Sequence, residues 1–262
     1  LSHYQISNLD PSVMSAFTAD NIEALPAQAF SAFTEDHIAN LQAETFESFN
    51  NQDVSNLQPE ALSALDSSML AAMEPDVMSG FSEHQIEHLS ADILGELDAD
   101  HFNNFDADAI GALTAEQVSA LPASIFTEEY VGDYAIQQLA NLSADAVGGL
   151  TAEQIAHYPP EAVSNGFTPE FIEAIDADVI GALTADQVSN IGPIAWREID
   201  ADTLGAISPD SMTQFTDLGS VGEEAFSGLT ADHISALPGQ AFQDLSHYQI
   251  SNLDPSVMSA FT

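Results

Sequence analysis

The sequence predicts an all-α solenoid: a superhelix of very short capped helices, one in each eight-residue repeat. Three observations predict it. A large apolar residue recurs every eight positions, every proline falls at one of two places in that octad, and helix-capping residues follow the opening apolar residue. Cutting before each large apolar residue gives LSHYQISN, LDPSVMSA, FTADNIEA and LPAQAFSA, and the pattern runs for fifteen octads from Leu1 to Ala120. Such self-similarity marks a repeat architecture.

Label the octad positions a to h. Position a is Leu, Phe or Met, and f is Ile, Val, Phe, Leu or Met. Position b is mostly Thr, Ser, Asp or Asn, whose side chain can accept from an early backbone N–H as a helix N-cap. Position c is mostly Ala or Pro, the first helical residue, where a missing N–H costs nothing. Position d is mostly Asp or Glu, facing the positive end of the helix dipole. Position f and the next a are three apart and share a face. Pro11, Pro59, Pro75, Pro160, Pro169, Pro193, Pro209 and Pro255 fall at c, and Pro26, Pro122, Pro159 and Pro238 at b.

One continuous helix is excluded. At about 100° per residue, eight residues overshoot two turns by about 80°, so the apolar positions would wander round the surface. Internal prolines would also break it. A strand would put a and f on opposite faces. Helices this short are unstable alone. They must stack on their neighbours, and the expected arrangement buries a and f and leaves d and e outside. A weaker alternation at f, with Ile22, Ile38 and Val54 between Phe30, Phe46 and Leu62, makes a pair of octads a second candidate for the structural unit.

The register slips at LPASI (121–125), at YPPEAVSNG (158–166), where Asn165-Gly166 is expected to turn, and at FTDLGS (215–220). The frame nevertheless returns in phase. The eighteen residues LSHYQISNLDPSVMSAFT occur at Leu1–Thr18 and again at Leu245–Thr262, 244 positions later. The expected organisation is therefore one continuous solenoid over 1–262: one long repeat, 1–244, and the start of the next, 245–262. No linker composition interrupts it.

Charge narrows the function. There are 42 acidic residues against one basic residue, Arg197, for a formal charge of -41. That excludes phosphate-backbone binding, which needs Lys and Arg, and it opposes anionic membrane surfaces. No apolar run reaches the ~20 residues of a membrane span. A chain so charged repels itself unless salt or bound cations screen it, which suits a saline, calcium-containing setting. There is no cysteine.

Few residues suggest chemistry. His84-Gln85-Ile86-Glu87-His88 spells the inverted zinc-protease pattern, but it lies in an ordinary octad with no third ligand evident. The pairs Asp98/Asp100, Asp106/Asp108, Asp176/Asp178 and Asp200/Asp202 have two open readings. They cap a helix and charge its first turn, or carboxylates of stacked caps hold calcium, which takes 6–8 oxygens. Trp196 sits at f and is expected in the core. Arg197 could pair within the chain or with carboxylates of a neighbouring subunit. Asn141-Leu142-Ser143 is a glycosylation sequon. No phosphate loop, nucleophile elbow or Cys nucleophile occurs.

The units LTAEQVSA (113–120), LTAEQIAH (150–157) and LTADQVSN (183–190) resemble the tandem L-T-x-x-Q-[IV]-x-x repeats of very large bacterial surface and adhesin-like proteins. More distantly they resemble the short-helix repeats of the mesothelin/stereocilin group. The resemblance implies an extracellular α-solenoid with a structural or adhesive role and no catalysis, and the acidity favours a bacterial protein of saline surroundings. The expected function is a segment of an extracellular filament or surface fibre whose partners are copies of itself or adjacent repeats, head to tail. The alternative is the calcium-rigidified stalk of a secreted adhesin.

Overall fold

A computed structural model of the chain describes residues 1–127 and 139–261. Among the described residues there is no strand, and each helix spans only three to seven residues. The chain forms the expected all-α solenoid of short helices. Its contacts divide it into two compact units, Leu1–Ile125 with Asn141–Ala146, and Phe126–Ala140 with Val147–Thr262.

Each octad is closed at both ends by its own residues. Residue a leaves the previous helix in an extended conformation and b stays extended, as at Phe33 (φ -70°, ψ 128°) and Thr34 (φ -98°, ψ 170°). The N–H of a then closes the preceding helix onto the f carbonyl, as Leu41 does to Ile38 at 3.0 Å. The eight prolines at c all begin helices.

In the first unit, α-helices and 3-10 helices alternate from Leu1 to Gly80. One hydrogen bond accounts for this. Where b is Ser2, Thr18, Thr34, Asn50 or Asp66, its side chain accepts from the N–H of e. The b carbonyl then takes the N–H of f, four residues on, as Ile38 to Thr34 at 3.1 Å, which makes an α-turn. Where b is Pro26, Gln42, Gln58 or Glu74 no side chain caps, and Asp10 accepts from the Ser12 N–H at d, not from that of e. The e N–H then falls back on the b carbonyl three residues away, as Thr45 to Gln42 at 3.0 Å, which makes a 3-10 turn.

Packing partners lie three octads apart. The helix Glu35–Ala39 sits between Pro11–Ala16 and Pro59–Ala64, which start 24 residues before and after it. Asn51–Asn56 likewise sits between Ala27–Ala32 and Pro75–Gly80. Because three is odd, each α-helix of this stretch meets 3-10 helices. In the second unit, Ala185–Asn190 packs on Pro160–Gly166 and Pro209–Met212, and Ala231–Ala236 on Pro209–Met212 and Pro255–Ala260. Stacking is thus between successive turns of three octads, not between consecutive octads.

Positions a and f form the core, as expected; Phe30, Ile38, Phe46, Val54 and Leu62 are fully buried at f. Position e is also inside, against expectation: Thr45, Asp53, Gln85, His101, Gln117, Gln154, Gln187, Ser211, His233 and Gln249 are all buried. Two adjacent positions are needed because each helix is covered from two sides, by the turn before and the turn after. Small residues at h follow from the same stacking. A Cβ on Gly80 would collide with the backbone of Asn51, and one on Gly228 with that of Ala201, in each case position c three octads earlier.

The slips are absorbed locally. Asn165-Gly166 does not turn: it ends the seven-residue helix Pro160–Gly166, and no non-glycine or glycine φ is positive among the described residues. The extra residue lengthens the helix, and Gly166 leaves room for the Tyr158 hydroxyl, 2.5 Å from where a Cβ would stand. The short units continue as 3-10 turns at Ala123–Phe126 and Leu218–Ser220.

Candidate functional site

The polar side chains at e form an inward ladder between turns. In Gln85 the amide oxygen accepts from the Ser82 N–H at 2.9 Å, completing a capping box. Its Nε2 donates to the carbonyls of Val54 at 2.7 Å and Leu57 at 2.9 Å, in the turn below. One amide thus serves the orphan N–H groups of one helix and the orphan carbonyls at a corner of another. Gln117 repeats this with Thr114, Ile86 and Leu89. Gln187 repeats it with Thr184, Ile155 and Tyr158, and Gln249 with Ser246 and Val221. Gln154 stands at the same position, its oxygen on the Thr151 N–H.

Histidine fills the rung differently. The Nδ1 of His37 accepts from the Thr34 N–H at 3.1 Å, so its proton is on Nε2, which donates to the Leu9 carbonyl at 3.2 Å. His233 copies this with Thr230 (3.0 Å) and Ile207 (2.7 Å). Both nitrogens of His101 face acceptors, Asp98 Oδ1 at 2.7 Å and the Met73 carbonyl at 2.9 Å. Burial pushes the Asp98 carboxyl up, but hydrogen bonds from the His101 N–H and ring, with the ring's charge, outweigh it and hold Asp98 below its ordinary value. Asp53 stands at the same position, its carboxyl accepting from the Asn50 N–H at 3.1 Å within its own octad. Burial raises its pKa, opposed by the hydrogen bond from the Asn50 N–H.

The ladder keeps its register through two of the slips. The ordinary span from rung to carbonyl is 28 residues, as Gln85 to Leu57. It becomes 29 from Gln187 to Tyr158, across the nine-residue unit, and 26 from His233 to Ile207, across the six-residue unit.

The aspartate pairs lie on the outside. Asp98, Asp106, Asp176 and Asp200 each precede a helix, and Asp100, Asp108, Asp178 and Asp202 lie in the first turns that follow, all eight exposed. Asp98 and Asp200 cap, the latter accepting from the Thr203 N–H at 2.7 Å; Asp106 and Asp176 make no side-chain cap bond. The pairs stay separate: no three His, Asp or Glu among the described residues are grouped to hold one metal ion. His84 and His88 are exposed, and the His88 ring is turned to the His84 carbonyl at 2.8 Å rather than to the His84 ring. Trp196 is buried against Phe215, ring centroids 4.5 Å apart. Arg197 is exposed beside a groove that Asp200, Glu223 and Glu224 also line. Ser143 of the sequon accepts from the Ala146 N–H, as a cap does.

Sequence reasoning missed the ladder because Gln and His read as surface residues. The available signal was their recurrence at e, at His37 and then every sixteen residues at Gln85, His101 and Gln117, three after a Ser, Thr or Asp.

Fold and ladder together define a class, the α-solenoid of octad repeats with three octads to the turn. No protein-family model matches the chain, and no curated protein matches it in sequence. Among solved structures it is similar to the leucine-rich repeat-containing protein LegL7 from Legionella pneumophila. Identity is 13% over 81% of this chain and 79% of that one, at a TM-score of 0.15, a likeness too slight to carry an argument.

Proposed function

We propose that the chain is a non-catalytic structural segment of a tandem-repeat extracellular filament or surface fibre, from a bacterium of saline surroundings. One observation supports this above the others: the contact between turns is self-similar. Each turn offers e to the turn before and f to the turn after, so turns add without limit. The ladder spends its donors and acceptors on backbone groups of neighbouring turns, which is a mechanical role. The acidic surface keeps such an array soluble and apart from nucleic acid. The L-T-x-x-Q resemblance to adhesin-like surface proteins supports the location, and Gln117, Gln154 and Gln187 supply a physical reason for that motif's Gln.

The test is electron microscopy of covalent tandems of one, two and three 244-residue periods, with and without EDTA. Particle length should rise in step with period number in both conditions. Tandems that collapse in EDTA would favour the calcium-rigidified stalk, and tandems that never lengthen would overturn both readings.

A further inference from the structure

We propose that His37 and His233 form a pH switch: at neutral pH each bonds its turn to the turn before, and a proton on the ring releases it. The inference stands on the geometry of the ladder and holds whichever function the chain has.

Both nitrogens of each ring are committed. Nδ1 of His37 accepts from the Thr34 N–H at 3.1 Å and lies 2.9 Å from the Thr34 hydroxyl, while Nε2 donates to the Leu9 carbonyl, 28 residues back. In His233, Nδ1 lies 3.0 Å from the Thr230 nitrogen and 2.8 Å from its hydroxyl, and Nε2 donates to the Ile207 carbonyl at 2.7 Å. Only the neutral ring with its proton on Nε2 makes this set. A proton added to Nδ1 turns the acceptor into a donor. The Thr hydroxyl can rotate to accept from it, but the Thr N–H then faces another N–H and has no acceptor. The charge is also inside, since His37 and His233 are only 3% and 1% exposed.

No carboxylate is placed to offset that charge. The helix of His37 carries Glu35 and Asp36; of the helices packed on it, Pro11–Ala16 is capped by Asp10 and Pro59–Ala64 carries Glu60. Around His233 the corresponding groups are Asp232 on its own helix, Asp210 on Pro209–Met212 and Asp254 at the cap of Pro255–Ala260. All of these are exposed, and among the described residues none pairs with either ring. His101 is not part of the switch, because its Nδ1 faces the Asp98 carboxylate at 2.7 Å, an acceptor for a second ring proton.

The Gln rungs are the comparison within the molecule. Gln117 and Gln187 make the same bonds, from the Thr114 and Thr184 N–H groups to carbonyls of the turn before, with an amide that does not titrate. A free imidazole takes its proton below about pH 6.5. The neutral rungs therefore contribute stability that is full well above that value and is lost progressively below it, where the unfolded chain binds protons that the rungs refuse. Mild acid opens the turns held by His37 and His233 and leaves the Gln turns closed.

Amide hydrogen exchange of the 262-residue chain at about pH 7.5 and about pH 5.5 reads the switch residue by residue. On acidification the Thr34 and Thr230 amides should exchange about tenfold faster relative to those of Thr114 and Thr184, for one pH unit below the imidazole value. The shared residue type cancels the intrinsic pH dependence. Thermal melts give a second reading. His37→Gln/His233→Gln, which copies the Gln rungs, should melt near the parent at about pH 7.5 and several degrees above it at about pH 5.5; the remaining histidines and the carboxylates are common to both chains and cancel. Thr34 and Thr230 amides that keep step with Thr114 and Thr184 overturn the proposal, and so do a parent and variant that lose the same melting temperature in acid. The exchange result is read on the parent chain and decides the matter even where the variant folds poorly.

Discussion

Leu1–Gly80 and Glu83–Ala120 share the octad, the turn of three octads and the apolar core, yet α-helices alternate with 3-10 helices in the first stretch and run consecutively in the second. Position e mixes polar and apolar residues in both, with His37, Thr45, Asp53, Gln85, His101 and Gln117 against Ala29, Ala61, Met69, Val77, Ile93 and Ala109. What changes is b. At the 3-10 octads of the first stretch it is Asp10, Pro26, Gln42, Gln58 and Glu74, none of which accepts from the e N–H; Asp10 accepts from the Ser12 N–H at d instead. In the second it is Ser82, Ser90, Asp98, Asp106 and Thr114 throughout. A side-chain cap on the e N–H thus suffices for the α form, and e independently selects whether a turn is bonded to the one below. Every octad whose b side chain accepts from the e N–H is α. The converse fails, since Ala107–Gly111 and Pro193–Glu198 are α without such a bond.

The largest test of that division removes what both stretches share. Val118→Asp places an unpaired charge at a fully buried f position and should cost more than about 4 kcal/mol, unfolding the local stack. Asp108→Asn, on an exposed first turn, should stay within about 0.5 kcal/mol. Urea melts of the two variants check the pair, and equal effects would refute the octad frame.

Next comes the ladder. Gln117→Ala strands the carbonyls of Ile86 and Leu89 and uncaps the Thr114 N–H, a loss of about 3 kcal/mol at about 1–3 kcal/mol per orphaned buried group. Gln5→Ala loses only the reciprocal half of an exposed capping box and should cost about 0.5–1 kcal/mol. Equal losses would mean that the inter-turn bonds contribute nothing.

Smaller again are the caps. Thr34→Ala should cost about 1 kcal/mol and convert Glu35–Ala39 toward a 3-10 turn. Gln42→Thr should make Ala43–Ser48 α and gain a fraction of that. Backbone chemical shifts of Thr45 and Phe46 read the change directly, and unchanged shifts would break the link between cap and helix type.

The caps, the prolines and the burial of a and f were legible because each depends on residues within one octad. The turn of three octads was not. Nothing in the letters sets 24 residues apart from any other multiple of the octad, since octads of different composition meet across turns, as Glu35–Ala39 meets Pro59–Ala64. The burial of e was hidden for the same reason. Gln85 is buried only because Val54 and Leu57, far off in sequence, leave carbonyls over it. Asp98 was legible as a cap, but neither its contact with His101 nor the reach of His101 to Met73 was.

The smallest effect separates the two stretches by pH. Asp53, in the first, has its carboxyl raised above the ordinary 3.8 by burial, so the folded chain holds that proton more tightly than the unfolded chain. Its contribution to stability is full below 3.8 and is lost as pH rises through the raised value. Asp98, in the second, is held below 3.8 by His101. Its contribution is full above 3.8 and is lost as pH falls through the lowered value. Asp53→Gln should therefore raise the melting temperature at about pH 7, where the new amide replaces a buried charge, and change little at about pH 3. Asp98→Asn should lower it at about pH 7 and change little at about pH 2, where the parent carboxyl is itself protonated. Thermal melts of both variants across that range check the opposition. Shifts of the same sign at neutral pH would show that the Asp53 charge is not strained by burial.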